Sequence, residues 1–238
     1  MSLKSSPFSW GLAYGQPTSS CPVHPQNPPR VPEVIWIQAT RDLAQGRFWP
    51  SLLTTIGCLS NIAYTCTLPF VTVGIVTGTT LTRQRAIVSA SMIWLANQIF
   101  GYTWHNYPRT PDSLAWGLVL GIGTVGVAWL ASYRPLFFQP HPVQPRQWLR
   151  NYLWILVMLI LGFLAFEGLI LAAGLVLGGT EGLTLPILGK IWLHNWLWTG
   201  FWLGIHALLT WDRGRRRLEL ARAHLSGLGY PQGRSRPE

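Results

Sequence analysis

Charge is what this sequence has least of. Only 11% of its 238 residues are Asp, Glu, Lys or Arg, where a soluble domain carries about 25%. Acids are rarer still, eight in all, so no cluster exists to hold magnesium for intramembrane diphosphate chemistry. No H-E-x-x-H, G-x-S-x-G or P-loop occurs, and no Ser, His and Asp spacing singles out a nucleophile, which points away from an enzyme. The three cysteines, Cys21, Cys58 and Cys66, form no C-x-x-C or C-x-x-C-H pair, so a thiolate metal site or a covalently attached haem is not indicated. Neither Met1-Ser2-Leu3-Lys4 nor the segment before Cys21 supplies the apolar stretch of a signal peptide.

What fills the gap is apolar. The AVILMFWYC residues make up 49% of the chain, with 24 glycines and 14 tryptophans. Six charges lie before residue 48, ten from 212 onward, and only ten across residues 48–211. Those ten leave long uncharged runs at 48–82, 86–108, 113–133, 151–166, 168–180 and 191–211. A membrane-spanning helix takes about 20 apolar residues. The sequence therefore predicts an all-α integral membrane protein, a compact bundle of five transmembrane helices at about 52–81, 86–104, 113–133, 151–179 and 191–211. The count rises to six if the 35-residue run 48–82, interrupted by Pro69, makes two short spans. Residues 1–47 read as a flexible Pro/Ser-rich region with an interfacial helix at 31–47, and residues 212–238 as a basic tail.

The net charge of +10 concentrates in that tail, which opens Asp212-Arg213-Gly214-Arg215-Arg216-Arg217. A basic cluster after a span is a cytoplasmic stop drawn to anionic headgroups, and no soluble domain presents it to nucleic acid. Twelve basic residues fall on the side of Arg83, Arg85 and the tail, against six on the other, so the C-terminus is placed in the cytoplasm of a plasma or inner membrane. One crossing in residues 48–82 would put the N-terminus outside; two would bring it inside with the rest unchanged. Tryptophans at 49, 104, 116, 148, 192 and 211 mark the water interfaces. Gly74/Gly78, Gly117/Gly121, Gly174/Gly178 and Gly200/Gly204, with Ala86/Ala90, supply one small-x-x-x-small pair to each span. Such faces let helices approach closely, within one chain, with partner membrane subunits or with a second copy.

Three sets of residues carry candidate chemistry. Glu167 is the only acid inside a span, and a carboxylate there costs several kcal/mol unless neutral, paired or watered, which suits a proton relay or a ligand for a cationic group. Its plainer reading is a protonated acid bonded to a neighbouring helix. Asn61, Asn97, Gln98, His194 and Asn195 fall toward the outer ends of their helices, beside an outer loop with Trp104, His105 and Arg109. Together they suit a cavity for a polar ligand, or else interhelical glue with an aromatic belt. His194 and His206 lie twelve residues apart on one helix, too far to share a metal ion, but either suits an axial ligand to haem or a chlorophyll-type pigment. His105 is the one partner for a bis-His arrangement with His194. The pattern requires no cofactor. The preferred function is a small-solute binding or transport component without its own ATPase. The alternatives are a pigment- or haem-binding membrane subunit and a non-catalytic assembly or scaffold protein.

Overall fold

A computed structural model describes residues 31–63, 69–133, 147–179 and 184–227. The N-terminal region 1–30, Cys21, Cys66, Arg134, Arg146, Glu181 and the chain after 227 lie outside the described residues. Those described form seven α-helices and no strand: α1 (Val31–Gln45), α2 (Phe48–Ala63), α3 (Phe70–Thr80), α4 (Arg83–Thr103), α5 (Pro111–Ala131), α6 (Gln147–Leu177) and α7 (Leu185–Gly227). The fold is all-α. Two segments, Pro111–Ala131 and Leu153–Leu177, are long and apolar enough to cross a membrane.

The uncharged run at 48–82 folds as two helices, α2 and α3, rather than one span at 52–81. They run antiparallel, because Trp49 at the start of α2 donates its indole N–H to Thr80 Oγ1 at the end of α3, at 2.9 Å. Proline explains the break: Pro69 cannot continue a helix from preceding residues, yet it suits the N-terminal boundary of α3. At 11 residues, α3 is about 16 Å long. It nonetheless sits at the centre, packed against α2, α4, α5, α6 and α7, with ten of its eleven residues buried. Its threonines tolerate this because Thr77, Thr79 and Thr80 donate their hydroxyls to carbonyls three or four residues back in the same helix.

Glycine sets how closely α3 meets α5. A Cβ on Gly74 would lie 2.9 Å from the Thr124 carbonyl, and one on Gly78 would lie 2.5 Å from the Ala128 carbonyl and 2.6 Å from Ala131 Cβ. This is the backbone approach that small residues four apart predict. The other pairs behave differently. Gly117 and Gly121 of α5 receive side chains of α4, Gln98 and Trp94, and the Trp94 indole donates to the Gly117 carbonyl at 2.7 Å. Gly178 has φ +80° and ends α6 as a left-handed cap, its N–H bonded to Gly174 O. Gly200 and Gly204 face open space.

At the far end of the bundle, α7 runs on to Gly227 without a break, so the basic cluster is helix rather than tail. Arginine is among the better helix formers, and charge alone does not stop a helix. At 43 residues, α7 extends about 65 Å. Its last part packs against α1, where Arg217 pairs with Asp42 and donates to Gln38 Oε1 at 3.0 Å. Arg85 of α4 donates to the Ala44, Gln45 and Gly46 carbonyls, capping the C-terminus of α1. The start of α1 and the end of α7 therefore share one end of the molecule.

Candidate functional site

The polar residues inside the bundle separate into two networks. The first joins α2 to α4 at the end opposite the arginines. Asn61 is wholly buried; its Nδ2 donates to Gly57 O at 3.0 Å and Cys58 O at 3.2 Å, and its Oδ1 accepts from Asn97 Nδ2 at 2.9 Å. Gln98 Nε2 reaches Asn97 Oδ1 at 3.3 Å. His105 closes the network by donating from Nε2 to the Asn61 carbonyl at 2.9 Å. The local chain makes this reach possible. Asn106 takes φ 54°, a left-handed conformation that Asn adopts more readily than most residues. Tyr107 then folds back to bond its N–H to Gly101 O at 2.9 Å, and His105 stacks on its ring. Trp104 and Arg109 stand exposed at the same end, outside the network.

The second network lies between α3 and α7 and centres on Asn195. Thr72, in the first turn of α3, donates its backbone N–H to Asn195 Oδ1 at 3.0 Å and its hydroxyl to Asn195 O at 2.9 Å. The Thr199 hydroxyl lies 3.1 Å from that of Thr72, whose proton is already engaged, so Thr199 donates. Asn195 is 2% exposed, Thr72 1% and Thr199 2%. Pro69 gives α3 no side-chain cap. Asn195 therefore caps α3 from another helix, supplying the acceptor that a helix start needs. Asn195 and His194 do not join the Asn61 network, although all were expected around one outer cavity. Asn195 turns toward α3, and His194, one residue earlier, is exposed.

Glu167 belongs to neither. It is 7% exposed and makes no hydrogen bond or ion pair with another described residue. It follows Phe166, which stacks on Phe70 of α3. One turn before it, Phe163 meets Trp192 of α7 edge-on at 4.6 Å. His206 packs its ring against Trp49 of α2, 5.2 Å between centroids, and Trp49 also meets Trp202 edge-on. No group of three or more His, Cys, Asp or Glu that could hold a metal ion occurs among the described residues.

Sequence reasoning missed Thr72 and Thr199. Their signal was the pair Asn195-x-x-x-Thr199 on one helix face, opposite a helix start that lacks its own cap. It also missed Trp94, whose indole N–H is tied to Gly117 O. The Asn61 network is bonded within itself, whereas Glu167 is an acid of a long apolar helix with no bonded partner among the described residues. No family model, curated protein or solved structure matches the chain.

Proposed function

We propose that the chain is a multi-pass membrane protein of the small-solute binding or transport class, without its own ATPase, in which Glu167 handles a proton or a cationic group. The observation that carries this is Glu167, an acid within the apolar helix α6 whose carboxyl has no bonded partner among the described residues. An acid with no bonded partner in a long apolar helix suits holding a proton or a cation, and membrane proteins keep such groups for work rather than packing. A short central helix, entered through a proline, adds weight. Discontinuous helices of this kind line substrate sites in many transporters.

The membrane part of the reading rests on which residues face outward. Val88, Met92, Leu95 and Ile99 of α4 are each at least half exposed, as are Leu114, Leu118 and Ile122 of α5. Three asparagines and six threonines are meanwhile buried among the described residues. Water would not tolerate such apolar stripes, and lipid requires them. With α2 and α3 as separate crossings there are six, α3 being the short one, and both ends of the described chain fall on one side. Arg41 and Arg47 then join Arg83, Arg85 and the arginines of α7, leaving Arg109 and Lys190 opposite, a bias that supports a cytoplasmic orientation for that side.

Proteoliposomes containing the protein, offered pools of isotopically labelled amino acids, sugars and organic cations across an imposed proton gradient, test the proposal. At least one solute is expected to accumulate with wild type and not with Glu167→Gln at equal protein content. Accumulation unaltered by Glu167→Gln removes the role of Glu167, and no accumulation in any pool removes the transport class. A second reading, an assembly protein, draws on Gly200 and Gly204 of α7, where an added Cβ would meet no described residue within 4 Å.

A further inference from the structure

A shallow trough of about 470 Å³ runs between α4 and α5 on the outside of the bundle. That volume falls in the range of about 300–1,000 Å³ typical of small-molecule sites. Trp94 walls one end and Trp129 the other, with Gly121 and Gly126 on the α5 side. The two glycines differ. Trp94 already fills the space over Gly121, whereas a Cβ on Gly126 would meet nothing within 4 Å. Because the Trp94 N–H is engaged by the Gly117 carbonyl, that wall offers the trough no polar atom. Its occupant is therefore apolar and chain-like.

The end at Trp129 carries a charge. The Arg83 guanidinium stands 5.1 Å from the centre of the Trp129 ring, at the arginine-rich end of the molecule. Arg85 is engaged by the end of α1, Arg216 by Asp212 and Arg217 by Asp42. Arg83, by contrast, is exposed and has no acidic partner among the described residues. A cation held on an aromatic face at the mouth of an apolar trough matches a phosphate attached to a hydrocarbon chain. We infer that this trough binds one acyl chain of an anionic phospholipid whose phosphate sits on Arg83. The inference rests on the membrane reading above and is independent of what Glu167 does.

Native mass spectrometry of the full chain, reconstituted with equal phosphatidylglycerol and phosphatidylcholine, tests it once resistance to carbonate extraction has established membrane integration. Wild type is expected to keep one phosphatidylglycerol in preference. Arg83→Gln is expected to cut that preference about fivefold, the factor corresponding to about 1 kcal/mol for one arginine near an anionic surface. A Cβ at Gly126 meets no described atom within 4 Å, so Gly126→Leu is expected to fold normally, to extend into the trough and to lose the retained lipid. Equal retention of the two lipids by wild type, or retention unaffected by both variants, overturns the inference. So does a dimer that carries no lipid, since a second copy would then cover the trough. Extraction by carbonate would instead overturn the membrane reading, and the lipid site with it.

Discussion

Replacing Asn195 with leucine removes the acceptor for the Thr72 backbone N–H while keeping a side chain of similar size on α7. Thr72 is 1% exposed, so water cannot take over, and a buried donor left unsatisfied costs about 1–3 kcal/mol. Loss of a helix N-cap costs about 1 kcal/mol by independent measurement, and the two figures describe the same missing acceptor, so they are not added. The expected destabilisation is about 2 kcal/mol. Thr72→Val provides the contrast. It deletes the hydroxyl that bonds Asn195 O and accepts from Thr199 but leaves the N–H bonded to Oδ1, and each interhelical side-chain bond in a membrane averages about 0.6 kcal/mol. The assay is reversible unfolding in mixed micelles, followed by tryptophan fluorescence, with amide hydrogen exchange read over the first turn of α3. Asn195→Leu should cost more than Thr72→Val and, unlike it, accelerate exchange at Thr72. Equal small losses in both variants, with exchange at Thr72 unchanged, would refute capping in trans and reduce Asn195 to ordinary glue.

Other outcomes follow from the same packing. Gly78→Ala drives a methyl against the Ala128 carbonyl and Ala131 Cβ and should destabilise by about 1–3 kcal/mol. Gly200→Ala meets open space and should be neutral or stabilise by up to about 1 kcal/mol through helix propensity; equal losses in one denaturation series would contradict the assigned α3–α5 contact. Glu167→Met replaces an unmatched carboxyl by an apolar side chain and should leave thermal stability unchanged or raised, whereas a clear loss in a thermal-shift assay would reveal a bonding partner. Arg85→Gln should fray the end of α1, seen as faster exchange at Leu43–Gly46, with a global cost of about 1 kcal/mol or less. Protection of those amides equal to wild type would show that the three carbonyl contacts do not cap α1.

Much of the architecture was legible because it follows from counting. Scarce charge and long apolar runs led to an all-helical chain, and the pair Gly74/Gly78 marked a close helix approach that α3 makes with α5. Azimuth was not legible. Asn195 and Asn97 both lie toward the same end of the bundle, but nothing in their spacing tells that one turns to α3 and the other to Asn61. Equal spacing also hid unequal roles: Gly178 terminates a helix, Gly117 seats a glutamine side chain, and Gly204 faces outward. The run at 48–82 was ambiguous because its length fits neither one helix nor two full spans, and the short α3 survives only because five other helices enclose it. The arginines after Asp212 read as a tail because charge suggested an end; α1, packing alongside, keeps that segment within the structure.

Six crossings with both described ends on the arginine-rich side is the central claim, and cysteine accessibility tests it most directly. With the native cysteines changed to serine, single cysteines are placed at Gln38, Asn106 and Leu220 and probed with a membrane-impermeant maleimide on intact cells. Labelling of Asn106→Cys from outside, with Gln38→Cys and Leu220→Cys reacting only after lysis, is the expected result. Reaction of Gln38→Cys from outside while Leu220→Cys stays protected would contradict it, leaving residues 48–82 with a single crossing.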